Sequence, residues 1–427
     1  MFPDFHYLFR SLFGVDIPGL SLIKTFGFFV AVSFLAGAWV ITQELKRKKE
    51  QGLFQPEIVT RETGKPATTA ELIWMAVLGF LVGFKVLGLF ANASTAARNP
   101  VGFLMSTQGS FIGGVLLAAV FVYSRYSAKK KEVLAEPKQQ RYSIYPHQRV
   151  ADILFIAAIG GFGGAKIFNA FETWQNFLQD PIGNLISASG LTFYGGLIVA
   201  TVALYLYARK KKFSFTHLCD AAAPALMLAY GIGRLGCQFS GDGDWGIYNS
   251  AYVTQADASL ARSSQQQYDS VVAMYPQQFL DRNLNQVTPH KFAPAPGWLP
   301  DWCYAQNFKF NVNNDGIPVA GYQGDYSHVL PAGVFPTSMY EAVVCILLFF
   351  VLWGLRKRFH RPLQLFGIYL VLNGLERFLV ELVRVNYKYN WGFIHPTQAE
   401  IIAGCLIIAG LGLFFFYREK NKPVTTT

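Results

Sequence analysis

Charged residues are scarce in this sequence, making up 15% of its 427 residues, whereas hydrophobic residues make up 52%. A chain with so few charges is too apolar for an ordinary soluble protein. Its apolar residues lie in about nine blocks of roughly 20 residues, the length that crosses the hydrocarbon core of a bilayer. We therefore predict an all-α polytopic membrane protein with about nine transmembrane helices.

The sequence also lacks the patterns of common metal-dependent and hydrolytic enzymes. Its five cysteines show neither a CxxC pattern nor a metal-binding spacing. Cys303 stands alone in a predicted outer loop, so no intrachain disulfide is expected there. A Ser-His-Asp pattern and a phosphate-binding glycine loop are both absent. Nothing in the sequence calls for a metal or a cofactor.

No small-residue cleavage site follows the first apolar block, so we expect no cleaved signal peptide. The nine predicted spans cover residues 26–41, 72–90, 111–126, 150–171, 191–207, 221–239, 338–355, 365–383 and 400–417.

Lysine and arginine are concentrated in alternate loops. The basic loops follow the odd-numbered spans, as in "ELKRKKE" after the first and "LRKRFHR" after the seventh. Because positive loops are retained on the cytoplasmic side, the N-terminus is predicted outside and the C-terminus inside. The net charge of +11 then reflects membrane orientation, and without a clustered soluble patch we expect no nucleic-acid binding.

The second and third spans resemble the fourth and fifth at an offset of 81 residues, which widens to 82 near the end. Each copy crosses the membrane out and back, so inserting one copy leaves the downstream topology unchanged. The matched positions include Gly79/Gly160, Gly83/Gly164, Lys85/Lys166, Phe90/Phe171, Gly113/Gly195 and Gly114/Gly196.

These features divide the chain into segments. The polar stretch 241–335 is the candidate extracytoplasmic domain, either a small folded unit or a lid of loops over the membrane mouth. The other segments are the N-terminal region with the first span at 1–42, the inserted hairpin at 43–149, the core spans at 150–240, and the last three spans with a basic tail at 336–427.

The stretch "YGIGRLGCQFSGDGDWG" places Arg234 near the outer end of the sixth span. A charge at that depth is costly unless it is paired or faces water, and arginine suits a bidentate phosphate contact. Asp242 and Asp244 could orient Arg234 or bind substrate hydroxyls. The alternative is an arginine that snorkels to the interface beside two ordinary turn aspartates.

The eighth span carries "LERFLVELVR". Helical spacing stacks Arg377, Glu381 and Arg384 on one face, and a charged face must point to protein or water. This face is either a second cationic site or a structural ladder of ion pairs.

Two further segments open spans. In "TFYGGLI", Gly195 and Gly196 permit close helix packing or close ligand approach, and Tyr194 is either an interfacial aromatic or part of the site. In "FPTSMYEA", Tyr340 and Glu341 lie about one turn inside the seventh span, where a carboxylate is expected to face the protein interior.

Together these motifs resemble the bacterial prolipoprotein diacylglyceryl transferases. The stretch "DAAAPALMLAYGIGRLGCQFSGD" is similar to the arginine signature of that family, and "GLTFYGGLI", "FPTSMYEA" and "ERFLVELVR" are similar to three further segments. The resemblance covers the chain outside about 43–149 and 247–333. The signature positions that match residue by residue are Asp220, Pro224, Gly233, Arg234 and Gly236.

The resemblance implies seven core spans plus the inserted hairpin, and a multi-pass protein of the bacterial cytoplasmic membrane with its active site on the extracytoplasmic side. It implies transfer of the diacylglyceryl group of phosphatidylglycerol to the lipobox cysteine of a preprolipoprotein, forming a thioether and releasing glycerol 1-phosphate. The alternatives are a phospholipid-binding relative without catalysis and a lipid transporter.

The resemblance also suggests roles for individual residues. We expect Arg234 to bind the phosphate of phosphatidylglycerol and Arg377, held by Glu381, to stabilise the leaving phosphate. Tyr194 stands where the family usually has histidine, so it would orient a group or relay a proton, and the general base is unassigned. Further substrate contacts are expected from Gly195, Gly196, Asp242, Asp244, Tyr340, Glu341 and Arg384.

Overall fold

The computed structural model describes residues 1–92, 96, 100–134, 136–186, 190, 192–281, 286–386, 388–390, 392–393 and 395–417. The chain divides into two compact units. The first comprises Met1–Val15, Ile23–Glu44 and Thr216–Thr427, and the second comprises Asp16–Leu22 and Leu45–Phe215. Residue 191 of the fifth predicted span and the basic tail from residue 418 lie outside the described residues.

The described residues are mostly helical. The α-helices are α1 Phe5–Phe13, α2 Thr25–Glu50, α3 Thr69–Ala91, α4 Pro100–Met105, α5 Phe111–Glu132, α6 Val150–Glu172, α7 Trp174–Gln179, α8 Pro181–Ile186, α9 Phe193–Lys210, α10 Phe215–Ser240, α11 Gln265–Met274, α12 Thr337–Leu355, α13 Gln364–Glu381 and α14 Gln398–Phe416.

Six of the described helical segments are long and apolar enough to cross a membrane, which identifies a polytopic membrane protein. Helices α9, α10 and α13 form where the other three spans are predicted, but tyrosines, glycines and charged residues make them more polar. The apolar segments are Thr25–Glu50, Thr69–Ala91, Phe111–Glu132, Pro146–Glu172, Thr337–Leu355 and Gln398–Phe416.

The fold also contains strands, which the expectation of an all-helical chain omits. They are β1 Glu57–Thr63, β2 Lys138–Ile144, β3 Tyr248–Thr254, β4 Leu260–Arg262, β5 Leu280–Asp281, β6 Gln286–Val287, β7 His290–Lys291, β8 Ile317–Pro318, β9 His328–Val329 and β10 Ala332–Val334. These strands are short and contain no long apolar block, so a search for such blocks does not detect them.

In the second unit, β1 and β2 form an antiparallel ladder that runs from the pair Glu57 and Ile144 to the pair Thr63 and Lys138. Arg149 and Lys211 both contact the Glu57 carboxylate at the start of β1, Lys211 at 3.4 Å. This ladder joins the polar segment before α3 to the polar segment after α5.

Helices α3 and α5 pack closely, as do α6 and α9, and glycines permit both contacts. A Cβ at Gly83 would collide with the backbone of Gly113. The same holds one repeat later, where a Cβ at Gly164 would lie 2.5 Å from the Gly195 carbonyl oxygen. Glycine at these positions therefore lets backbone approach backbone.

A lysine occupies equivalent positions in the two helix pairs. Lys85 of α3 donates to the carbonyls of Phe103 and Gln108, both at 2.9 Å. Lys166 of α6 donates to the carbonyl of Asn184 at 3.1 Å. Phe103 and Asn184 are themselves 81 residues apart, so each ammonium group binds the corresponding short helix or its end.

In the first unit, the described residues of 241–335 form a small folded region with its own core. Strand β3 pairs with β10 and β4 antiparallel and with β7 parallel. The core beneath it contains Tyr248, Tyr268, Phe279 and Phe308.

Helix α13 is positioned by an aspartate of α10. The Asp220 carboxylate accepts hydrogen bonds from the backbone N–H groups of Leu363 at 2.9 Å and Phe366 at 3.0 Å. Carboxylates are favourable at a helix N-terminus because its first N–H groups have no partner within the helix. Asp220 of the signature thus links α10 to the start of α13.

We expect Gly164→Ala to lower the free energy of unfolding by about 1–3 kcal/mol, because its methyl group collides with α9. Gly163→Ala is the matched control, since a Cβ there meets nothing within 4 Å. That variant should be neutral or up to about 1 kcal/mol more stable. Thermal unfolding in detergent measures both, and equal stability of the two variants would contradict the close α6–α9 contact.

Candidate functional site

Arg234 lies near the end of α10 and is paired on two sides. Its Nε is 2.7 Å from Oε2 of Glu341, and its Nη1 contacts Oδ2 of Asp244. The guanidinium carbon also lies 5.2 Å from the ring centroid of Tyr230, one helical turn earlier. Arg234 is thus held by two carboxylates and an aromatic ring.

Glu341 of α12 is the common partner of three arginines. Its side chain is 0% exposed. Its Oε1 lies 3.2 Å from Nη1 of Arg377 and 3.3 Å from Nη1 of Arg384. The Tyr230 hydroxyl donates to the same oxygen at 3.3 Å. A carboxylate without solvent is tolerated at this depth because cations surround it.

Arg377 and Glu381 form the expected pair along α13, with 2.9 Å between Nη2 and Oε2. Arg384 differs from the expectation of one continuous charged face. Because α13 ends at Glu381, Arg384 lies beyond the helix and reaches Asp244, with 2.6 Å between Nη2 and Oδ1. We call these six residues the arginine cluster: Arg234, Asp244, Glu341, Arg377, Glu381 and Arg384.

The turn that carries Asp244 is held between α12 and α13. Thr337 donates its hydroxyl to the Asp244 carbonyl at 2.8 Å, and the Ile247 N–H donates to the Val383 carbonyl at 2.9 Å. A Cβ at Gly246 would collide with that same carbonyl of Val383. The glycine-rich exit of α10 therefore permits the close approach that brings Asp244 to the arginines.

The two aspartates of this turn differ in their electrostatic environments. Burial raises the pKa of Asp244, but the guanidinium groups of Arg234 and Arg384 outweigh burial and hold it below its usual range. Burial raises the pKa of Asp242 above its usual range. Asp244 is accordingly an ionised partner of the arginines at neutral pH.

Cys237, Asp242 and Asp244 have ligand atoms within 4.8 Å of one another. Both Asp244 oxygens already contact arginines, and the Arg234 Nη1 lies 3.9 Å from the Cys237 sulfur. These guanidinium groups would repel a cation, so the trio fits a metal poorly. The cluster is better suited to an anion that can share its arginines.

A polar pocket of about 350 Å³ opens beside the cluster within the first unit. Gly243, Gly246 and Arg384 border it on the cluster side, and Gln278 and Asp315 border it on the side of the 241–335 region. Arg384 therefore connects the buried ion pairs to a solvent-accessible space.

Glu376 is a buried carboxylate for which the sequence predicted no separate role. Its residue exposure is 3%, and neither carboxylate oxygen has a hydrogen-bond partner among the described residues. Its position directly before Arg377 was visible in the sequence, but its burial depends on how α13 packs.

The remaining predicted residues are Tyr340, Tyr194, Gly195 and Gly196. Tyr340 donates its hydroxyl to the Cys303 carbonyl at 2.5 Å, so it contacts the 241–335 region. Tyr194, Gly195 and Gly196 belong to the second unit. There a Cβ at Gly196 would lie 2.6 Å from the Gly161 carbonyl oxygen, so this glycine allows close packing against α6.

The sequence model of the family described as prolipoprotein diacylglyceryl transferase matches residues 132–416. The chain belongs to this family. The match includes every residue of the arginine cluster and the α6–α9 pair, and it begins at the last residue of α5. The α3–α5 pair thus lies almost entirely outside the segment that matches the transferase family.

Individual relatives in this transferase family carry a fuller name, phosphatidylglycerol–prolipoprotein diacylglyceryl transferase. The protein of that name from Chlorobaculum tepidum is 24% identical, over 72% of this chain and 84% of the relative. The one from Xanthomonas oryzae pv. oryzae is 26% identical over 78% and 96%, and the one from Dehalococcoides mccartyi is 24% identical over 65% and 79%.

We expect Glu341→Gln to lower the free energy of unfolding by about 3 kcal/mol or more, because three arginines lose their shared buried counter-ion. Glu376→Gln is the matched control, since it changes a buried glutamate whose carboxylate accepts no hydrogen bond from the residues that the structure describes. The control should not destabilise the fold. Thermal unfolding in the same detergent measures the loss of stability in both variants. An equal loss of stability in the control would refute the central role of Glu341.

Proposed function

We propose that this chain transfers the diacylglyceryl group of phosphatidylglycerol to the lipobox cysteine thiol of preprolipoproteins. The carbon–oxygen bond to the phosphate breaks, a carbon–sulfur thioether bond forms, and glycerol 1-phosphate leaves. The observation that carries this proposal is the convergence of Arg234, Arg377 and Arg384 within a chain of the transferase family.

The cluster matches the electrostatic demand of this reaction. The leaving group is a phosphate monoester, and its developing charge is stabilised by preorganised cations in a site with little water. Arg234 binds the phosphate of the donor, and Arg377 stabilises the leaving phosphate. Oε2 of Glu381 lies 2.9 Å from Nη2 of Arg377, and Oε1 of Glu381 accepts a hydrogen bond from the Asn386 amide at 2.5 Å. Asn386 therefore helps to hold Glu381 in the position from which it pairs with Arg377.

The acceptor does not require a strong base. A cysteine thiol has an ordinary pKa near 8.5, so a fraction is thiolate at neutral pH, and a cationic site increases that fraction. Tyr194 orients a reacting group or relays the proton that leaves the thiol. In this scheme the proton ends on the released phosphate.

The membrane arrangement is part of the same proposal. The chain crosses the bacterial cytoplasmic membrane nine times, with the N-terminus outside and the C-terminus inside, and the cluster faces the extracytoplasmic side. The basic loops support this orientation. The inserted hairpin within 43–149 is a duplicate of the pair that follows it, as the equivalent lysine contacts suggest.

A phospholipid-binding protein without transferase activity is the second candidate, and tyrosine at position 194 favours it because a histidine base is missing there. Rescue of bacteria depleted of their own diacylglyceryl transferase separates the two. Growth and lipoprotein modification support the transferase. Failure to rescue, with phosphatidylglycerol still bound by the purified chain, supports the second candidate.

We expect Arg234→Ala to reduce transfer to a lipobox peptide by at least about 100-fold, because the phosphate loses its principal cation. The assay uses phosphatidylglycerol and the purified full chain in detergent. Arg262→Ala is the matched control, since Arg262 pairs with the exposed Asp301 in the 241–335 region, and it should retain activity. Near-normal transfer by Arg234→Ala would contradict the assignment.

A further inference from the structure

Asp244 bridges two arginines in the way that a phosphate group would. Its Oδ2 contacts Nη1 of Arg234, and its Oδ1 lies 2.6 Å from Nη2 of Arg384. Arginine binds carboxylates and phosphates through the same paired N–H···O geometry. The position between these guanidinium groups is therefore an anion site that the chain fills with its own side chain.

The other two carboxylates of the cluster are placed differently. Glu341 and Glu381 project from the helices α12 and α13, and their side chains are 0% exposed. The Asp244 side chain comes from a turn and is 32% exposed. Moving either glutamate would leave a buried charge without solvent, whereas Asp244 can exchange its arginines for water.

Charge balance within the cluster makes this difference important. Three arginines face three carboxylates, so an incoming phosphate finds no unpaired guanidinium in the arginine cluster. A phosphate can take the position between Nη1 of Arg234 and Nη2 of Arg384 only by replacing the carboxylate that occupies it. Asp244 is the cluster carboxylate whose replacement costs least.

The local geometry allows that replacement without refolding the turn. Thr337 holds the Asp244 carbonyl at 2.8 Å, so the backbone stays in place while the side chain rotates. The polar pocket bordered by Gly243, Gly246 and Arg384 lies directly beside the turn. It offers a polar headgroup room next to the arginines.

We propose that Asp244 is an internal competitor for the phosphate of an anionic phospholipid and that it sets the affinity of the cluster for its donor. This inference rests on the proposed function for the identity of the donor. The Asp244 carboxylate leaves the arginines when the phosphodiester binds them, so Asp244 determines how tightly the donor is bound. Its removal raises affinity, whereas removal of Arg234 or Arg384 abolishes binding.

Asp244→Asn tests the competition directly, since it keeps the shape of the side chain and removes its charge. The full chain is purified in uncharged detergent and titrated with short-chain phosphatidylglycerol. We expect the dissociation constant for phosphatidylglycerol to fall by about tenfold, because its phosphate no longer has to displace the Asp244 carboxylate from the two arginines. The KM for the donor should fall in parallel, with kcat no higher.

Asp257→Asn is the matched control, because it removes one negative charge from the 241–335 region, where the carboxylate accepts hydrogen bonds from Ser259. Its affinity should equal that of the unaltered chain. An unchanged or weaker affinity in Asp244→Asn would overturn the proposal, since Asp244 would then be inert or would position the arginines. If Asp244→Asn fails to fold, Asp244→Ser is judged by the same criteria.

Inorganic phosphate serves as a second ligand and distinguishes a lipid headgroup from a free anion. Tighter binding of phosphatidylglycerol by Asp244→Asn supports the proposal, whereas a gain confined to inorganic phosphate would overturn its lipid assignment. Transfer to a lipobox peptide is measured on the same samples. If Asp244→Asn gains affinity but the unaltered chain shows no transfer, the proposed function alone is refuted. If the unaltered chain shows transfer but Asp244→Asn gains no affinity, this inference alone is refuted.

Discussion

The buried Glu341 carboxylate is the contact on which the arrangement of the site depends. Three cations packed among helices repel one another strongly, because a low-dielectric interior screens charge poorly. Glu341 contacts all of them from inside the bundle, and Glu381 and Asp244 compensate the remaining charge. The approach of α10, α12 and α13 at this level is therefore coupled to the pairing of their charges.

Two kinds of support surround that contact. Helix ends and glycines provide the geometry, as when Asp220 caps the start of α13 and Gly246 lets the turn after α10 approach the carbonyl of Val383. The folded 241–335 region provides a polar enclosure, because its pocket borders Arg384. The site therefore combines buried ion pairs with a solvent-accessible polar pocket, and this arrangement suits a reaction between a lipid headgroup and a peptide thiol.

Hydropathy was sufficient to predict the membrane class, because lipid-facing helices require long apolar runs, and helical spacing was sufficient to pair Arg377 with Glu381. The sequence could not predict the partners of Arg234, since Glu341 lies more than 100 residues away and meets it only when the bundle packs. Helical spacing also led us to extend the charged face to Arg384, because no strong signal for the end of a helix follows Glu381. The short strands were not predicted, because none of them contains a long apolar block.

The ladder of β1 and β2 has a consequence for the way the chain enters and leaves the α3–α5 pair. The ladder brings the chain entering α3 beside the chain leaving α5, with Thr63 opposite Lys138. An insertion whose two ends meet can be added or removed without stretching the flanking polypeptide. The chain therefore enters and leaves the segment between Thr63 and Lys138 at one place, so shortening the chain at the ladder would not require the flanking residues to move apart.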